Sequence, residues 1–223
     1  ELVISPTSTV GLDLLSLASE KESPKGLATT ALIMNQLNTY LPLSPLKKNI
    51  QQLIQDDKEN ALSYYTNALL LMEDGKVPES LAQIKIGNTK KFNGYSKQRF
   101  YEIVDAGVNA GAGCQKIEIQ RHALLQSFNT GLFIKSRKVC EKLTESNEPE
   151  AKKTCEAMGQ NLEKSAITLI DQLNSLAIQR IAVKDLPDNT AKLNEIKNRR
   201  ERVMNCPARG QVWLEDEDVT EEA

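Results

Sequence analysis

The stretch 135–182 constrains the fold more than any other. Val139 and Leu143 precede the turn Ser146-Asn147-Glu148-Pro149. Cys155, Met158, Leu162, Ala166, Leu169, Leu173 and Leu176 follow it at steps of three or four. That period places them along one helix face. The incoming helix is expected to end near Glu145, and Pro149, with no N–H to satisfy, suits a first helical turn. Cys140 and Cys155 lie almost equally far from the turn. Two antiparallel helices would bring them face to face, so we expect a disulfide. It would close a loop of about 16 residues and contribute about 3 kcal/mol on the chain-entropy view. Ile170, Ala177 and Ile181 widen the apolar stripe, so the second arm reads as one long helix over 149–183, about 50 Å in length. Such a helix would be the spine for earlier helices or a coiled-coil surface for another copy. Gly159 within it points to a close helix crossing.

The rest of the chain follows the same period. Ser5-Pro6, Ser23-Pro24 and Ser44-Pro45 are each followed by a helical pattern, with serine able to cap and proline able to fill the first turn. The third carries Leu46, Ile50, Leu53 and Ile54. The 223-residue chain is 4 % aromatic and dominated by helix formers, and no alternating run long enough for a strand stands out. It is long enough to bury a sizeable core without help from disulfides. The expected fold class is all-α, with antiparallel helical hairpins in about nine or ten helices. One helical domain would cover 1–214, with a disulfide hairpin at 131–183. The 215–223 segment would be an acidic flexible tail (Glu215, Asp216, Glu217, Asp218, Glu221, Glu222), with Trp213 just before it docked on the helices.

Net charge is −2 and turns mildly positive without the tail. That is no concentrated basic face, so nucleic acid is not an expected partner. No run of about 18 apolar residues is present, so no transmembrane helix is expected. Four cysteines, an even count, fit an oxidising compartment. The chain starts at Glu1, which fits a removed signal peptide. We expect an exported protein, periplasmic or lipid-anchored if bacterial, with the cytoplasm as the alternative.

Catalytic signals are few. His122 is the sole histidine and sits mid-helix, and the cysteines show neither CxxC nor zinc-finger spacing. No cofactor or metal is expected. Gly107, Gly111 and Gly113 lack the lysine and preceding strand of a phosphate loop. Lys197, Arg199, Arg200 and Arg202 form a basic cluster. It reads as an anion contact or, more simply, as a solvated face paired with Glu195 and Glu201. Cys140 and Cys155 have a redox pair and metal thiolates as rival readings to a staple. Cys114 and Cys206 are left as a second pair by elimination.

The hairpin 57–87 carries two apolar stripes: Ala61, Tyr64, Ala68, Leu71, and Leu62, Tyr65, Leu69, Met72. Gly75 stops the first helix and Pro78 opens the second, which should end at Gly87. Ala68, Leu71, Gly75, Ser80 and Ile84 stand where a tetratricopeptide repeat has its small, large, turn, small and large residues. The hairpin therefore resembles a degenerate tetratricopeptide repeat. It departs from that pattern in Tyr64 for tryptophan, Asn67 for leucine and Gly87 for alanine. The resemblance implies hairpins stacked in a superhelix with a groove for a protein or peptide. Tyr65, Leu69 and Met72 are the groove candidates, with burial in the core as the competing reading. The pattern from Cys140 and Leu143 through Pro149, Glu150, Cys155, Met158, Gly159 and Leu162 is also similar to uncharacterised exported bacterial helical proteins, and implies no activity. The expected function is a non-catalytic scaffold or adaptor for a protein or peptide partner. The alternatives are a small-molecule binder or enzyme, with a cleft between the N-terminal helices and the long helix, and a self-associating structural protein.

Overall fold

The computed structural model describes residues 27–39, 42–94, 129–146, 148, 150–166 and 168–205. Among these residues the protein is all-helical, with eight α-helices and no strand. In chain order they are α1 (Leu27–Asn38), α2 (Lys47–Asp56), α3 (Ala61–Glu73), α4 (Val77–Asn88), α5 (Thr130–Glu145), α6 (Ala151–Lys164), α7 (Leu169–Val183) and α8 (Thr190–Met204). Ser44-Pro45-Leu46 forms a 3₁₀ turn that leads into α2, and Ser44 does not cap that helix.

α3 is buried on most of its sides. Leu62, Tyr65, Leu69 and Met72 are buried on one side, and Ala61, Ser63, Thr66, Ala68 and Leu70 on others. A helix covered almost all round sits at the centre of its neighbours, and α3 packs on α2, α4 and α5. Asn60 starts it by accepting from Leu62 N at 3.0 Å, a standard N-cap contact. Gly75 ends the turn that follows, with φ +75°, a left-handed conformation that favours glycine. Ser80 Oγ of α4 donates to Ala68 O at 2.8 Å, which seals the α3–α4 contact.

The spine expected over 149–183 is two helices, not one. α6 stops at Lys164 and α7 starts at Leu169, and the two pack against each other more extensively than any other pair of described helices. The physical cause is a cap. Thr168, in extended backbone, accepts from Asp171 N through its hydroxyl at 3.0 Å. Ser165 Oγ donates to Phe92 O at 3.1 Å. The apolar period runs unbroken through the bend in sequence, but its members part company in the fold: Cys155, Met158 and Leu162 are buried on α6, whereas on α7 Leu169 is exposed and Leu173 only partly covered. Gly159 permits the crossing: a Cβ there would lie 2.7 Å from Gln179 Cγ and 3.0 Å from Ser175 O of α7.

A main core of buried side chains runs from α1 through α7. Phe92, in the segment after α4 that reads as polar in sequence, is 2 % exposed. Its ring stacks on Tyr65 at 6.3 Å and meets Phe133 edge-on at 6.0 Å. Asn60 holds that segment in place. Its Oδ1 accepts from Asn93 N at 2.9 Å and its Nδ2 donates to Asn93 O at 2.7 Å.

Candidate functional site

Cys140 on α5 and Cys155 on α6 stand at disulfide distance, with Cα atoms 5.7 Å apart and both side chains fully buried. They lie across the connection between the two helices, where their spacing places them. Cys114 and Cys206 lie outside the described residues, as do His122, the glycines at 107, 111 and 113, Trp213 and the tail.

Tyr65, Leu69 and Met72 are 0 %, 2 % and 7 % exposed. The stripe offered as a partner groove is therefore packed into the core in this structure. The reason is nonlocal: Phe92 from the loop and α4 close over it. The Tyr65 hydroxyl donates to Asn88 Oδ1 at 2.9 Å and accepts from Asn161 Nδ2 at 2.8 Å. Asn161 also donates to Lys90 O at 2.9 Å, and Asn88 Nδ2 donates to Thr154 O at 2.9 Å. Burial pushes the Tyr65 phenol well above its ordinary pKa, against a smaller lowering by Asn161. Gly87 does not end its helix, which runs to Asn88. It is a close approach: a Cβ would fall 2.5 Å from Tyr65 Cε1. This seam ties α3, α4 and α6 together.

Two surface features remain. Along α7, Ile170, Leu173, Ala177 and Ile181 form one continuous stripe by helical geometry. Ile170 is 55 % exposed and the other three are only partly covered. Neighbouring Leu169 is 41 % exposed. Asp171, Ser175, Ile178, Gln179 and Ala182 face inward instead. The widening of the apolar stripe seen in the sequence thus includes side chains that the described helices leave half open.

The second is an open cleft of about 430 Å³ lined by Gln160, Glu163, Lys164 and Arg199. Arg199 Nε donates to Glu163 Oε1 at 3.2 Å, and one Nη of Arg199 donates to Glu163 Oε2. Gln179 Nε2 donates to the same Oε2 at 2.8 Å. Burial, then the nearby Arg202 charge, draw the Arg199 guanidinium below its ordinary pKa. The basic cluster of α8 is thus partly paired: Arg199 with Glu163 and Glu195, and Lys197 with Glu201 at 3.9 Å. The sequence supports the Glu195 and Glu201 partners at helical spacing, whereas Glu163 comes from a different element.

Among the described residues no group of three or more His, Cys, Asp or Glu side chains is placed to hold a metal ion. No helix among them is long and apolar enough to cross a membrane. No known protein family, curated protein or solved structure matches the chain.

Proposed function

We propose that this protein is a helical scaffold that binds a protein or peptide partner in an oxidising, exported compartment. The observation that carries the reading is the half-open apolar stripe of α7. Isolated apolar side chains on a surface are ordinary, but a continuous stripe on one helix is what partner helices and peptides bind. The groove at Tyr65, Leu69 and Met72 gives way to this stripe as the contact surface. The α3–α4 pair, with Gly75 at its turn and Ser80 against Ala68, supports a tetratricopeptide-like arrangement of the helices. The Cys140–Cys155 pair supports the compartment, since such bonds persist where thiols are not kept reduced.

Site-specific photocrosslinking in the native host tests the reading. A crosslinker at Ile170 is expected to trap one discrete partner, identified by mass spectrometry and lost when Leu173→Asp is added. The same crosslinker at Lys197 should not trap it. An adduct with a second copy of the chain would mean self-association through the same stripe. No discrete adduct at Ile170 would remove the adaptor reading.

A further inference from the structure

Among the described helices α8 buries the fewest side chains. Ile196 is its one buried side chain. It joins Leu176 and Val183, flanked by Leu186, Leu193 and Val203, in a small apolar cluster separate from the main core. The remaining ties are polar. Arg199 grips Glu163 through two nitrogens, and Lys192 Nζ reaches Glu156 Oε1 at 2.8 Å. The turn before α8 carries Asp188 at φ 57°, and Asn189 Nδ2 donates to Val183 O at 3.1 Å.

Parting Arg199 from Glu163 leaves neither charge stranded. Glu163 keeps the bond from Gln179 on α7 at 2.8 Å. Arg199 keeps Glu195 of its own helix, Nη1 to Oε1 at 3.5 Å. Both side chains are already 24 % exposed, and the cleft beside them is open to ions. Separating a deeply buried pair is costly because a bare charge remains in a low dielectric. Here each half keeps a partner and gains water.

We propose that α8 is a detachable arm, latched on the α6–α7 face by Arg199 on the Glu163–Gln179 pair and released by rising ionic strength. Release uncovers Leu176 and Val183 while the main core stays closed. The proposal is independent of the adaptor reading.

Hydrogen–deuterium exchange on the full chain tests it, in sodium chloride at about 20 mM and about 1 M, where the screening length shrinks from roughly 20 Å to about 3 Å. Protection of the amides in Thr190–Met204 is expected to fall about tenfold, with α3 and α6 unchanged as the internal reference. Arg199→Ala should lower the low-salt protection of α8 most of the way to the high-salt level and leave only the smaller salt dependence of the Lys192–Glu156 pair. Glu163→Arg with Arg199→Glu should restore both. The salt series on the unaltered protein decides the matter if Arg199→Ala does not fold. Exchange of Thr190–Met204 only at the global rate, or without salt dependence, overturns the proposal. So does an even loss of protection across all helices in Arg199→Ala.

Discussion

At the residue scale, the Tyr65 hydroxyl is a buried junction between helices. It bridges Asn88 and Asn161 from two different helices. Tyr65→Phe keeps the ring against Phe92 but removes the donor to Asn88 Oδ1 and one of the acceptors of Asn161 Nδ2, so we expect a loss of about 1–2 kcal/mol in chemical denaturation. A pH dependence follows from the raised phenol pKa. The buried phenol keeps its proton at pH values where an unfolded tyrosine, ordinarily near pKa 10, has released it. The unfolded chain then binds fewer protons, so this contribution is complete below about pH 10 and declines as pH rises above it. Stability measured between pH 8 and about pH 11 should fall more steeply in the native protein than in Tyr65→Phe. Gly87→Ala should also destabilise, by about 1–3 kcal/mol, because the new methyl meets the Tyr65 ring, which is fully buried and stacked on Phe92.

At the scale of elements, two short connections decide the C-terminal half. The first joins α5 to α6 and is spanned by Cys140 and Cys155. Replacing both with serine is expected to cost about 2–4 kcal/mol in equilibrium unfolding. Intact mass after thiol alkylation provides the direct check, since these two cysteines should take up label only after reduction of the unfolded chain. The second connection is the bend before α7. Thr168 and Asp171 stand in the spacing of a helix start, Thr-x-x-Asp. That signal is present in the sequence but is masked by an apolar period that continues through it. Thr168→Ala should cost about 1 kcal/mol by removing the cap on Asp171 N.

For the molecule as a whole, burial separates two kinds of apolar residue that look alike in the sequence. Leu162 is fully buried between α6 and its neighbours. Leu162→Ala should lower stability by about 2–5 kcal/mol. Ile170, more than half exposed on α7, should accept Ile170→Glu with a change within about 0.5 kcal/mol. Thermal melts of the two variants side by side measure the contrast. A large loss in Ile170→Glu would mean that the α7 stripe is covered within the folded chain and is not a contact surface.

The period of three and four determined that the described residues are helical, and the distances of Cys140 and Cys155 from their turn determined that they meet. Gly75 was legible for the same reason, since it answers to the backbone geometry of a single turn, whereas Gly159 answers to the crossing with α7. Tertiary structure decided the rest. Which stripe of α3 is core depends on Phe92, brought in by a loop that Asn60 pins from the other side of α4. The side of α7 that stays open depends on where α5, α6 and α8 pack. The partner of Arg199 depends on α7 folding back along α6, which puts Glu163 within reach across a separation of 36 residues. The stretch 135–182 therefore determines its helices and its cysteine pair by local chemistry. Its bend follows from the local Thr168 cap, whereas the face it leaves to solvent follows from burial shared among elements far apart in the chain.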